Sequence, residues 1–565
     1  MERGWNSRSD MNVGRLGHTG YLSTVADPLV VNSANEAAWS DVADVVVVGF
    51  GGAGGVAALQ AHELGADVII IDRFNGGGAT ANSGGVIYAG GTRFQQDAGI
   101  DDSAANMFDY LVQEELAVGE ATLRRFCEGS CEDIEWLCKQ GLQFGGKPYL
   151  EKTAYPPDGY FLYYSGNENV PAFKEKAVPV PRGHRTHGTG TTGYAYYAAL
   201  RTAVEMAGAR LHLHSPVRRL VVDREGAIVG VEIAPVPQDW HERHQALYNK
   251  IIPMRPFSGK YNERTIAAAK AFEEQVHNRK LIRARKGVVL ATGGFINNLA
   301  MLRRYRPTYG KAWKALTRIG SMGCDGSGID LVRSAGGNTR LMDRLYTGRS
   351  IAPPAAFMGG VLVDDSGQRF VNEDAYSGFV GSSIGELPAN GKAWLILDRN
   401  RYRTAIRQCL FTARTLYIWT IPALLNIVFG GTTTARSIEA LAHKCGFDPK
   451  AFAQTIATNN MAADSGGADE RGKDPAKVHT IAVAPFYAIN MSLDNPWLMS
   501  VCFSLGGLAV DEESGAVLRE DGSAIPRLYA AGRVAAGLCS KAYVSGMSIA
   551  DTVYSGRRAA RAIIG

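Results

Sequence analysis

Gly49, Gly51 and Gly54 stand in the spacing Gly-x-Gly-x-x-Gly, and Asp72 closes the run Val68-Ile69-Ile70-Ile71 that follows. Residue types in that order bind a dinucleotide. Gly49 permits a tight turn, Gly51 lets the backbone approach a pyrophosphate, Gly54 lets a helix pack closely on a strand, and the Asp72 carboxylate can accept hydrogen bonds from a ribose. Further along the chain, Tyr376 is flanked by Ser377 and Gly378, so its hydroxyl can face a ligand from a loop. Tyr543-Val544-Ser545-Gly546 opens the last helix, whose first turn, with Ser548 and Ile549, presents free backbone N–H groups and the positive end of the helix dipole.

The elements that must position these residues are legible around them. Asp44-Val45-Val46-Val47-Val48 is a β-branched strand, a helix starts near Ala53, and Val68 to Ile71 is the second strand of a βαβ unit. The chain of 565 residues is long enough for two or more domains, and 46% hydrophobic with 20% charged residues is ordinary for a soluble globular protein. Sixty-six glycines suit a backbone that lies against a large ligand in several places. A net charge of +5 is mild and no basic stripe with interleaved aromatics appears, so no nucleic acid partner is expected. The eight cysteines form no CxxC pair; they are read as buried thiols of a reducing cytoplasm, and no metal site is expected. Residues 1–40 read as an arm outside the main fold.

After Asp72 and Arg73 comes a run of small residues containing Gly78, Ala79, Thr80, Ser83, Gly84 and Gly85, over which a flat, extended cofactor can lie. Residues 101–142 read as two amphipathic helices ending at Gly141, and residues 155–185 as pocket-lining loops without periodicity. A second Gly-x-Gly-x-x-Gly at Gly188, Gly190 and Gly193 precedes a helix but is expected to lack a preceding strand, so it is not read as a nucleotide site. No NAD(P)H site is then visible, and the external electron acceptor is unassigned. A strand containing Val217 leads to a polar insert over about 236–281, read as a loop plus one helix. The apolar run 409–429 is interrupted by Arg414, Pro422 and Asn426 and preceded by Arg399, Arg401, Arg403 and Arg407. It reads as a monotopic membrane-surface anchor, as a buried helix of a capping domain or dimer interface, or least well as a true span.

The small-residue run after Asp72 resembles the fumarate reductase/succinate dehydrogenase flavoproteins, in which this segment lies along FAD. Ala291-Thr292-Gly293-Gly294 after an apolar strand, Cys324-Asp325-Gly326, and Tyr529-Ala530-Ala531-Gly532-Arg533 match further flavin motifs of that family. The resemblance implies FAD bound without a covalent link, since the loop lacks the histidine of the covalent members. Along nearly its whole length the chain is similar to 3-ketosteroid dehydrogenases of the Δ4-(5α) type, through Tyr164-Ser165-Gly166-Asn167-Glu168-Asn169, Pro181-Arg182-Gly183-His184, Glu373-Asp374-Ala375-Tyr376 and Tyr543-Val544-Ser545-Gly546. It departs from that branch in the insert at 236–281 and the apolar run at 409–429.

The fold implied is α/β: a Rossmann-like, glutathione-reductase-like FAD-binding domain at 41–300 and 496–565, with an inserted α+β substrate-capping domain at 301–495. The implied substrate is a steroid-like apolar ketone in an uncharged site. In the implied reaction Tyr543, helped by the Gly546 N–H, binds the 3-keto oxygen; Ser545 and Tyr376 handle a proton from C4, and a hydride passes from C5 to flavin N5. Alternatives are Δ1-dehydrogenation, ene-reduction of another enone, and a membrane-surface FAD electron carrier without its own substrate. The chain is expected in the cytoplasm, free or peripheral on the membrane.

Overall fold

The computed structural model describes residues 25–565 apart from residues 36, 253–254, 256, 350, 413–415, 468 and 540–542. The arm as far as residue 24, Arg414 of the apolar run and Ala542 of the last motif lie outside the described residues. What is described of the arm is part of the main fold. Leu29–Val30 pairs in parallel with Val221–Val222 at the sheet edge, and Trp39 already begins the first long strand.

That strand, β1 (Trp39–Val48), ends in four fully buried valines, the pattern of a strand covered on both faces. Helix α1 (Gly52–Glu63) follows, buried without interruption from Gly52 to Ala61, and β2 (Val68–Ile71) completes the βαβ unit beside β1. Helix α2 (Gly193–Met206) packs beside α1, β3 (Arg210–His212) pairs with β2, and β4 (Val217–Val222) and β5 (Ile228–Ile233) form a hairpin. The insert supplies α3 (His241–Asn249) and α4 (Gly259–Glu274) before β6 (Lys280–Leu290). β6 pairs with β5 antiparallel, with β1 in parallel, and at its end with β7 (Ala524–Ala530).

The register decides where a ligand can lie. Val48 is level with Ile71 and with Leu290, and Leu290 with Ala530. The residues that follow, Gly49, Asp72, Ala291 and Ala531, therefore open one crevice at the carboxyl ends of four strands, the usual binding edge of such a sheet.

Four sequence expectations are corrected. The insert folds as two helices plus a short 3-10 turn at Gln238–Trp240. The reading of one helix missed α3, whose polar face is turned to solvent. A strand does precede the second glycine motif: Gly183–Arg185 sits in a small sheet with Val86–Tyr88, Leu162–Tyr163 and Pro148–Tyr149. It is three residues long and antiparallel to Val86–Tyr88, so it builds no βαβ unit. That sheet also gives order to residues read as irregular loops. Helix Ser327–Ser334 packs on β4, so chain beyond residue 301 still belongs with the FAD-binding half.

The capping region holds a four-stranded antiparallel sheet in the order Val361–Val363, Trp394–Leu397, Phe486–Asn490, Thr433–Ala435. Helices α5 (Arg399–Leu410) and α6 (Tyr417–Phe429) lie beside it, and the apolar run is divided between them. Among the described residues no helix is long and apolar enough to cross a membrane. The last helix, α7 (Met547–Ile564), returns to pack along α1.

Candidate active site

One elongated cavity runs from the ends of β1 and β2 to the base of the capping region. Gly49, Gly51, Ala53, Asp72, Arg73, Gly78, Ala79, Thr80, Ser83, Gly84, Val217, Ala291, Thr292, Gly293, Arg533, Ser548 and Ile549 line it. Gly54, Gly85, Asp325 and Gly532 stand behind the wall. A Cβ on Gly54 would lie 1.8 Å from the Gly49 carbonyl oxygen, one on Gly85 2.5 Å from the Thr192 backbone, and one on Gly532 2.8 Å from the Ala53 Cβ. These glycines hold chain against chain. Gly51 differs: a Cβ there would meet nothing nearer than 3.8 Å and would project over the start of α1.

The wall suits a dinucleotide. The Thr292 hydroxyl is buried with no partner in the protein, while Gly52 N–H donates to Thr80 Oγ1 at 3.0 Å and so fixes the small-residue run over the helix start. Asp72 accepts the Phe50 N–H at 2.7 Å and the Phe74 N–H at 2.8 Å, which orients the carboxyl that burial otherwise pushes toward the neutral form. The following residue, Arg73, is clamped by the insert. Its Nε donates to Glu273 at 2.6 Å and its Nη1 to Asp325 at 3.0 Å, and Lys270 lies 3.4 Å from Asp325. Asp325, although buried, is held well below the usual carboxylate range by the Lys270 and Arg73 charges. From the same insert, Tyr248 reaches the cavity beside Ser215 and Pro216.

At the other end the cavity is walled by Tyr346, Tyr376, Phe503, Tyr543, Ser545 and Gly546. Tyr376 precedes helix Ser377–Glu386, and its backbone N–H donates to Asn167 Oδ1 at 2.6 Å. Asn167 belongs to the Tyr164–Asn169 motif, and that is the motif's structural use. The Tyr376 and Tyr346 hydroxyls are 3.2 Å apart. Ser545 Oγ is 3.0 Å from the hydroxyl of Tyr163, and Ser545 N–H donates to Ser165 O. The Tyr543 ring packs edge-on against Tyr346 and Phe503, with centroids 4.7 and 4.9 Å away. Burial pushes the Tyr543 hydroxyl up, opposed by the Arg533 charge and by a hydrogen bond from the Gly546 backbone. Burial likewise raises the Tyr376, Tyr346 and Tyr163 hydroxyls. All four stay protonated at neutral pH, as donors and relays, not bases.

Arg533 corrects the expectation of an uncharged site. Its guanidinium lies 3.6 Å over the Phe503 ring and donates to Ser504 O, so its charge falls on the tyrosine cluster. Tyr346, Phe503, Tyr163 and Tyr248 were missed from the sequence because none stands in a recognisable motif. Among the described residues no cluster of three or more His, Cys, Asp or Glu could hold a metal ion.

The family of the FAD binding domain matches residues 44–546. The chain is 35% identical to the 3-oxo-5-alpha-steroid 4-dehydrogenase of Comamonas testosteroni over 91% of this chain and 97% of that protein. It is similar in structure to the 3-ketosteroid-delta4-(5alpha)-dehydrogenase of Rhodococcus jostii RHA1, solved with 4-androstene-3,17-dione: the TM-score is 0.77 at 30% identity, covering 96% of this chain and all (100%) of that one. The 3-ketosteroid delta1-dehydrogenase of Sterolibacterium denitrificans shares the fold, with a TM-score of 0.63 at 19% identity over 93% of this chain.

Proposed function

The chain belongs to the FAD-binding-domain family of flavoproteins, and from that premise we propose that it desaturates the C4–C5 bond of a 3-ketosteroid. The observation that carries this reading is the grouping of the Tyr543 hydroxyl, the Gly546 N–H, Ser545 and Tyr376 at one end of an aromatic-walled cavity whose other end is a dinucleotide cradle. FAD, held without a covalent bond by the glycine turn, Asp72, the Gly78–Ser83 segment and the Thr292 hydroxyl, supplies a two-electron acceptor.

The protein residues account for the other half of the reaction. The Tyr543 hydroxyl, itself held by the Gly546 backbone, donates to a ketone oxygen, and this hydrogen bond strengthens as negative charge develops on it, which makes the neighbouring C4–H acidic. The proton leaving C4 is relayed through the hydroxyl pair Ser545–Tyr163, each oxygen taking one proton as it gives up its own toward solvent, with Tyr376–Tyr346 as the second pair facing the substrate. Loss of a proton from C4 and a hydride from C5 leaves the C4–C5 double bond. The apolar walls exclude water and suit a steroid body. We place the enzyme in the cytoplasm, in keeping with eight unpaired cysteines, and at a membrane surface.

The test is anaerobic addition of a saturated 3-ketosteroid to the flavin-loaded protein. Bleaching of the visible flavin band is expected, lost in Tyr543→Phe with flavin content unchanged. Absence of bleaching with every 3-ketosteroid tried would remove this reading.

A further inference from the structure

The insert and the apolar run, the two departures from the Δ4-(5α) branch, meet on one surface. Phe429 at the end of α6 packs on Trp497 with ring centroids 5.1 Å apart, and Trp497 packs on Phe257 of the insert at 5.2 Å. From this junction α6 presents an apolar stripe outward: Ile418, Ile421, Leu425, Val428 and Phe429 are 38, 51, 37, 61 and 58% exposed. Spacings of three and four residues put them on one helix face.

The polarity of α6 is inverted for a helix that faces water. Its polar residues Thr420 and Asn426 are buried. Asn426 Nδ2 donates to Asn490 O at 3.0 Å and its Oδ1 accepts from Asn495 at 2.6 Å, so the apolar stripe is locked outward by hydrogen bonds on the inner face. Cations rim it. On α5 the exposed positions Arg403, Arg407 and Leu410 follow helical spacing, running from basic to apolar toward α6, and Phe411, just past the helix end, is 83% exposed. At the opposite end, exposed Arg255 lies beside Phe257 and over the ring of exposed Tyr261, 5.3 Å from its centroid.

We propose that this surface docks on an anionic lipid bilayer and opens the substrate cavity toward it. Aromatic and aliphatic side chains beside arginines match the boundary between acyl chains and anionic headgroups. The same helix carries the opening: Ile418 and Trp419 line the cavity that reaches Tyr376 and Tyr543. A steroid dissolved in the bilayer then enters along α6 without crossing water, an inference that rests on the steroid reading for its cargo but not for the docking itself.

Co-sedimentation of the full-length holoprotein with vesicles tests it. Vesicles of phosphatidylglycerol and phosphatidylcholine in equal parts are expected to bind the protein, and phosphatidylcholine alone to bind far less. High salt weakens the binding, and Arg403→Ala with Arg407→Ala lowers partitioning about thirtyfold. Ile421→Asp with Val428→Asp abolishes it while the flavin spectrum is kept, and lowers turnover of vesicle-loaded steroid but not of cyclodextrin-delivered steroid. Wild-type protein that ignores both vesicle types overturns the proposal. So does a dimer on gel filtration that Ile421→Asp with Val428→Asp converts to monomer with no lipid binding by the parent, since a second copy would then cover the face. Failure of the steroid reading alone leaves the vesicle binding intact.

Discussion

Asn167 Oδ1 accepts the backbone N–H of Tyr376 at 2.6 Å, across 209 positions of chain. The other end of the same amide donates to Glu114 at 2.9 Å, and its backbone N–H donates to Tyr110 Oη at 2.8 Å. Asn167 thus ties Tyr376, the residue just before a capping-region helix, to the FAD-binding half, and the site is assembled from both. Asn167→Ala is expected to lower kcat by about a hundredfold, the cost of a reacting group misplaced by an ångström. Flavin content should be unchanged and KM little altered. Steady-state kinetics normalised to bound flavin checks this, and an unchanged kcat would mean that Tyr376 needs no such tether.

Gly51 and Gly54 belong to one motif but are expected to fail differently. Gly51→Ala adds a methyl with no protein atom within 3.8 Å, at a backbone conformation (φ −98°) open to any residue, so the apoprotein should melt within about 0.5 kcal/mol of wild type. Its methyl occupies the line of closest cofactor approach, and flavin retention should fall at least tenfold. Gly54→Ala drives a Cβ to 1.8 Å from a backbone oxygen and should destabilise the fold by about 3 kcal/mol or more. Thermal melts of apoprotein and flavin titration separate the two.

The glycine fingerprint was legible because a turn and a close approach are local demands that only glycine meets. The same is true of the strand run ending at Val48 and the helix opening at Gly546. Tyr346 and Tyr163 were not legible: each is a tyrosine in a short strand, and what matters is the hydroxyl that tertiary packing brings to 3.2 Å from Tyr376 or 3.0 Å from Ser545. Composition marked the apolar run, but which face of α6 turns outward depends on hydrogen bonds from Asn426 to residues some sixty positions away. Within the insert, read as a polar loop plus one helix, nothing local reveals that Glu273 meets Arg73, 200 positions earlier.

Glu114 makes stability pH-dependent. Burial lifts its carboxyl from 4.5 to about 7, against hydrogen bonds from Tyr110 and Asn167. Between those values the folded protein holds a proton that the unfolded chain releases, so this contribution is fully present below the lower value and is lost as pH rises through the upper one. The loss is about 3 kcal/mol. Glu114→Gln cannot release that proton, and its melting temperature should fall less than that of wild type between about pH 5 and pH 7. Parallel curves for the two proteins over that range would assign the pH dependence to other groups.

The insert's clamp on Arg73 predicts a cofactor effect separable from the chemistry. Glu273 is fully buried, 2.6 Å from Arg73, and also meets His244 at 3.1 Å and Arg218 at 3.7 Å. Removing its charge with Glu273→Ala leaves Arg73 paired with Asp325 at 3.0 Å, and should cost about 3–5 kcal/mol, the range for a buried ion pair broken from one side. Because Arg73 follows Asp72 directly, the disturbance falls on the dinucleotide cradle and not on Tyr543 at the far end of the cavity. The expected result is a lower melting temperature and weaker flavin retention, with turnover per bound flavin at the wild-type level. A variant that keeps its flavin but turns over slowly would show instead that the insert acts on the substrate end.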